Sequence, residues 1–239
     1  MADPIQLTDA ATYYKQEPQQ VSAFEWLQLQ QTAETMAEFA EKYRATPPPP
    51  PQPEPQPGYI TPDLMQAITG HPASSFDAAF CDDFNDMLES TGFDQHLDAM
   101  QMLMANLCHE SCGFVYMKEI ASGEAYEYRK DLGNIYPGDG VKYKGTGPLM
   151  VTGRANFQAS SDWLRDHRGI DDGKIMDVGC DYAADHYAFT IAIPWLLNND
   201  LLAVCLHQGF DQCCYRINGG WNGKNDRDQW YEKCKQVML

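Results

Sequence analysis

The sequence predicts a mainly α-helical fold whose irregular, loop-rich centre forms one wall of a cleft. Three observations predict it. Apolar residues recur at helical spacing through most of the chain beyond residue 58. The stretch from Phe114 to Gly153 breaks that rhythm, being rich in Gly and Tyr and poor in apolar runs. A proline run separates this region from a short N-terminal segment.

Residues 1–45 come first. Within VSAFEWLQLQQTAETMAEFAEKYR, the residues Val21, Phe24, Leu27, Met36, Phe39 and Ala40 recur near helical spacing. The segment is too short for a domain. It predicts an amphipathic helix that docks onto a larger partner or folds back on the main domain. Residues 46–58, TPPPPPQPEPQPG, hold eight prolines in the eleven positions from Pro47 to Pro57. Such a run favours polyproline II and spans roughly 34 Å as a semi-rigid linker. A ligand for a proline-binding module is the competing reading.

Residues 59–239 form the main domain. DLMQAITGHP, SFDAAFCDDFNDMLESTG, QHLDAMQMLMANLCHES and DVGCDYAADHYAFTIAIPWLLNN each predict a helix or a helix pair. The segment 114–153 between them predicts loops and short strands.

Composition excludes some functions. A net charge of −17 argues against nucleic acid, which calls for clustered Lys and Arg, and against attraction to anionic membranes. No apolar stretch reaches 18 residues, so no membrane span is predicted. The N-terminus, MADPIQLTDAATYYKQ, lacks the basic and apolar regions of a secretory signal. All eight cysteines lie at or beyond Cys81, and without a signal they predict mostly free thiols, with disulfides left open. The 13 Tyr and 5 Trp suit a sugar-binding cleft and an ordinary core alike.

The chemistry concentrates at CHESCGF, residues 108–114. A zinc protease helix needs HExxH, and here the second histidine is missing. Cys108 and Cys112 stand four apart on a helical pattern. They either pack in the core or ligate metal with His109 and a distant fourth residue. Glu110 ends an apolar helix, so partial burial would raise its pKa and keep a proton available for donation. The loop carboxylates Glu119, Glu124 and Glu127 follow. A second carboxylate across a cleft is the arrangement that cuts glycosidic bonds. Downstream, YKGTGPLMVTGRANF carries Thr152, Gly153 and Asn156, and CYRINGGWNGKNDR carries Arg216, Asn218, Gly219, Gly220 and Asn222. Both read as tight turns that present polar groups to a ligand. INGGWNG also reads as a plain hairpin or turn.

Taken together these stretches resemble glycoside hydrolase family 19, the chitinase-like fold, and within it the bacteriophage and bacterial endolysins. HESCGF, then EIASGEAYEYRKDLGNIYPGDGVKYKGTGPLMVTGRANF, then a late helix, then RINGGWNG occur in family order across most of residues 59–232. The resemblance implies a lysozyme-like, bilobal helical domain that hydrolyses β-1,4 bonds between N-acetylated sugars with inversion. It implies Glu110 as general acid, Glu119 as general base with Glu127 in reserve, and Thr152 holding the attacking water. His109, Asn156, Arg216 and Asn218 would line the sugar subsites, again with Glu127. No cofactor is implied. Two positions depart from the family pattern: Thr146 and Met150 stand where it has an arginine and a glutamine. Tyr128 replaces a glycine in AYEYR. The substrate expected is peptidoglycan or a chitin-like glycan. The acidic charge and tethered N-terminal helix suggest a virion component held to another virion protein through residues 1–45. The alternatives are a free endolysin in the host bacterial cytoplasm before lysis, and a structural or sugar-binding protein that keeps the fold.

Overall fold

The computed structural model describes residues 60–239, so the N-terminal segment 1–45 and the linker 46–58 lie outside the described residues. Among the described residues the regular elements are α-helices, with single-turn 3-10 segments between them.

Helix α1 (Pro62–Thr69) begins where the Thr61 side chain accepts the Leu64 N–H and Pro62 takes the first helical position. Helix α2 (Ala78–Thr91) is capped by Asp77, which accepts the Phe80 N–H. Helix α3 (Leu97–Ser111) buries Met100, Leu103, Met104, Ala105, Asn106, Leu107 and Cys108, so it is enclosed nearly all round. There follow α4 (Asp139–Lys142), α5 (Arg154–Arg168), α6 (Lys174–Val178), α7 (Cys180–His186), α8 (Ile193–Asn198), α9 (Leu201–Asn218) and α10 (Lys224–Val237). Helices α9 and α10 pack on α3. Helix α9 is broken at Gly209, whose φ of 77° and ψ of −172° are not helical.

Periodicity predicts a helix or helix pair over DVGCDYAADHYAFTIAIPWLLNN, and the structure gives a pair, α7 and α8, with a 3-10 turn between. Asp83 on α2 explains the break. Its carboxylate accepts the Phe189 N–H at 2.8 Å and the Thr190 N–H at 3.2 Å, turning both away from a continuing helix. Phe189 then stacks on Phe84 with ring centroids 4.1 Å apart.

Segment 112–153 is the loop-rich centre. Its sheet-like pairing is limited to isolated antiparallel bridges, Lys118 with Thr146 and Thr146 with Val151. Phe114 and Asp139 are among the residues that fix it to the helices. Phe114 enters the ring cluster of Phe80, Phe84 and Phe189. Arg154, at the start of α5, pairs with the buried Asp139 at 2.6 Å. Burial alone would raise the Asp139 pKa. The Arg154 guanidinium and the N–H groups of Tyr136 and Ile135 outweigh it and lower the value.

Candidate active site

The last turn of α3 carries His109 and Glu110, and the first turn of α10 carries Asp226 and Arg227. The neighbours pair in register. His109 Nδ1 lies 2.6 Å from Asp226 Oδ2, and Arg227 Nη2 donates to Glu110 Oε1. The Arg227 side chain is 1% exposed. A buried guanidinium is costly unless its N–H groups find acceptors. Arg227 Nη1 donates to Asn106 Oδ1 at 2.6 Å, and Nε donates to the Asn222 carbonyl at 3.4 Å. Glu110 is 23% exposed, at the rim between core and solvent. The apolar helix end expected around it is replaced by a charge partner. Sequence reasoning missed Arg227. The signal was an Asp-Arg dipeptide in NGKNDR of opposite charge order to His-Glu in CHES.

The turn between α9 and α10 comes close to this pair. A Cβ on Gly223 would lie 2.2 Å from Cε1 and Nε2 of His109, so glycine alone lets the backbone pass the ring. The shared helix face expected for Cys108 and Cys112 does not form. Cys108 is buried, while Cys112 is exposed and left-handed (φ 51°), because α3 ends at Ser111. The alternative of both packing in the core therefore holds for Cys108 and fails for Cys112. No cluster of three His, Cys, Asp or Glu suited to a metal ion occurs among the described residues.

Glu119 sits in the loop wall. Its N–H donates to the Gly145 carbonyl at 2.9 Å. Its carboxylate accepts the Gly145 N–H and the Tyr126 hydroxyl, each at 2.9 Å. Burial, reinforced by the Glu119 contact, raises the Tyr126 pKa, so the phenol remains a donor. Next to it, Lys118 pairs with Asp185 at 3.1 Å and Asp181 at 3.5 Å, tying the loop to α7. A Cβ on Gly145 would lie 3.0 Å from Glu119 Oε2 and 3.2 Å from Met150 Cβ, so the carboxylate and Met150 flank one bare backbone position. Glu127 is held elsewhere: it accepts the Gly138 N–H at 3.2 Å. Glu124 is exposed.

Thr152 and Asn156 line a pocket of about 230 Å³ together with Leu132, Leu149, Met150, Val151, Trp195 and Ile217. The Thr152 hydroxyl donates to the Met150 carbonyl at 2.8 Å, and the Asn156 amide donates to the Thr152 carbonyl at 2.8 Å. Trp195 reads from sequence as an ordinary residue of a predicted helix, and Ile217 falls in the stretch read as a turn, so neither is marked out for the pocket. Of the two departures, Met150 lines the pocket, whereas Thr146 is fully buried and its hydroxyl donates to the Lys144 carbonyl at 3.1 Å. Tyr128, at the position where the family has glycine, is exposed with a φ of 58°.

Arg216 and Asn218 lie in the last turn of α9, and the tight turn expected to hold them starts only at Gly219. Arg216 is exposed and donates to the Asn199 carbonyl at 3.3 Å. Asn218 Oδ1 is buried with no hydrogen-bond partner. The structure thus gathers Thr152 and Asn156 at one pocket, with Glu119 adjoining it through Gly145 and Met150. His109 and Glu110 belong to the Arg227 wall. Glu127 and Arg216 do not line the pocket.

No protein-family model matches the chain. Similar solved structures include a bacterial family 19 chitinase, with 21% identity, a TM-score of 0.55, and coverage of 75% of this chain and 95% of that one. Chitinase C from Streptomyces griseus gives 17% identity and a TM-score of 0.50, over 76% of this chain and 93% of that one. A mutant of chitinase C gives 16% identity and a TM-score of 0.50 over the same shares. The described residues therefore have the lysozyme-like helical fold of family 19 chitinases. At these identities the likeness is one of fold.

Proposed function

We propose that this protein is a glycoside hydrolase that cleaves β-1,4 bonds between N-acetylated amino sugars in peptidoglycan or a chitin-like glycan. The observation that carries the reading is a pair of carboxylates, each fixed by directed hydrogen bonds, on a fold shared with chitinases. Inversion needs two such groups, roughly 6.5–9.5 Å apart, with water between base and sugar. Glu110, protonated on Oε2, the oxygen that Arg227 does not hold, gives that proton to the glycosidic oxygen as that bond breaks. Glu119 takes a proton from a water whose oxygen attacks the anomeric carbon, and Thr152 orients that water. Glu110 ends ionised, Glu119 ends protonated, and one water has been consumed. Glu119 is preferred to Glu127 as base because it adjoins the pocket through Gly145 and Met150.

The natural setting proposed is a bacteriophage particle, with residues 1–45 docked on another virion protein and the glycan opened locally at infection. The charge of −17 favours tethering over free diffusion to an anionic wall. A sugar-binding protein without turnover is the second reading, favoured by Met150 at the pocket. Purified protein incubated with peptidoglycan decides the chemistry. Wild type is expected to release reducing ends and Glu110→Gln to release almost none. Equal release by both removes Glu110 from the mechanism, and no release by wild type leaves only sugar binding. Presence of the chain in purified virus particles tests the setting.

A further inference from the structure

Among the described residues, Glu119 accepts from one side chain, the Tyr126 hydroxyl on Oε1, and from one main-chain group, the Gly145 N–H on Oε2. The charged and titratable groups around this loop are engaged elsewhere. Lys118 pairs with Asp185 and Asp181, Lys144 donates to the Ala121 carbonyl at 3.1 Å, and Arg129 pairs with Asp131. The Cys180 thiol donates to the Gly145 carbonyl at 3.5 Å, and burial raises its pKa, so it stays neutral. Tyr126 itself is fixed from several sides. Its N–H donates to the Gly123 carbonyl at 2.9 Å. Its carbonyl accepts from the amide of the fully buried Asn134 at 2.9 Å, and Asn134 Oδ1 accepts the Arg154 N–H at 2.8 Å. Arg154 starts α5, the helix that carries Asn156, so one buried amide ties Tyr126 to the pocket wall. A Cβ on Gly140 would lie 2.8 Å from the Tyr126 carbonyl carbon, so bare backbone packs against it.

A carboxylate that accepts a proton has to be aimed and has to stay basic, and the two needs pull apart. A guanidinium aims it and also holds it as the anion, whereas a neutral donor aims it at less cost in basicity. Two donors on about four lone-pair sites also leave one site on each oxygen open to water. We propose that Tyr126 is a positioning residue for the hydrolysis: its hydroxyl aims Glu119 at the attacking water and, being neutral, leaves it a working base. The proposal rests on the reading of Glu119 as base and deepens it.

The test is Tyr126→Phe in the full chain, with kcat and KM measured on soluble peptidoglycan strands across a range of pH. The expected result is a fall in kcat of about 10- to 100-fold with KM held within about twofold, the mark of an interaction that serves the transition state. Losing a donor favours the protonated carboxylate, so the acidic limb of kcat/KM should move about one pH unit higher. Tm should hold, because the ring stays. A packing role would lower Tm and leave that limb in place. Tyr128→Phe, at the exposed neighbour, is the matched control and should behave as wild type. A wild-type kcat, an unmoved limb, or the same loss in Tyr128→Phe overturns the role of Tyr126 and leaves Glu119 as base. Glu119→Gln as active as wild type, or no hydrolysis by wild type, removes that reading and this proposal with it.

Discussion

Glu110 and Glu119 lie close in sequence and are held by opposite means. Glu110 stands at the end of a buried helix and leans on a guanidinium that is itself sealed in the core by Asn106 and the Asn222 carbonyl. Glu119 stands in a loop and leans on a main-chain N–H and a phenol. The helix wall takes its rigidity from charge pairing under low solvent access, where breaking one partner strands the other. The loop wall takes it from close backbone approach, where a single added carbon atom is enough to move the carboxylate. Damage to the first should register mainly as lost stability, and damage to the second mainly as lost activity.

Removing Arg227 is the largest expected break. Arg227→Met should cost about 3 kcal/mol, because Glu110 and Asn106 lose their shared partner inside the structure. Denaturant unfolding measures it, and a loss under about 1 kcal/mol would dissolve the contrast between the walls. Gly145→Ala is the counterpart in the loop wall. It should cost only about 1 kcal/mol in stability while lowering glycan hydrolysis by about two orders of magnitude, since the new Cβ pushes on Glu119 Oε2. A stability loss as large as that of Arg227→Met would show the loop to be as structural as the helix.

Alkaline pH probes both sides at once. Burial pushes the Cys234 thiol in α10 up to about 12, and burial followed by Asp172 pushes the Tyr187 phenol up to about 12. In the unfolded chain these groups ionise near 8.5 and 10. The unfolded state therefore releases protons that the fold retains. Their contribution is complete below about pH 8.5 and declines as pH rises toward about 12. Denaturant midpoints should fall steadily between about pH 9 and 11, and a flat profile would contradict these shifts. The smallest effect is at Tyr128. Its left-handed backbone strains any residue but glycine, so Tyr128→Gly should stabilise the loop by about 0.5 kcal/mol, read as a small rise in Tm.

The same division explains what was legible in the sequence. Helices α1 to α3 show in apolar spacing because each buries a face against others. The site segments show because HES, AYEYR and RINGGWNG resemble a family pattern. Arg227 escapes sequence reasoning because an arginine at the end of the turn-like NGGWNGKNDR looks solvated, and only the packing of α10 on α3 buries it. The glycines that follow Arg216 and Asn218 predict a turn there, yet α9 continues until Gly219 supplies the left-handed stop. The apolar pocket was illegible because Leu132, Met150, Trp195 and Ile217 are distant in sequence and meet only in the fold.

Cys112 has a practical consequence. Seven of the eight thiols are sealed in the interior, and Cys112 alone is open, one residue past the helix that carries Glu110. A maleimide dye should therefore label the native molecule at a single place without mutagenesis. Its fluorescence would give a built-in reporter of the surroundings of the α3 C-terminus, where Glu110 stands, and a second labelled thiol would announce that the interior had come apart.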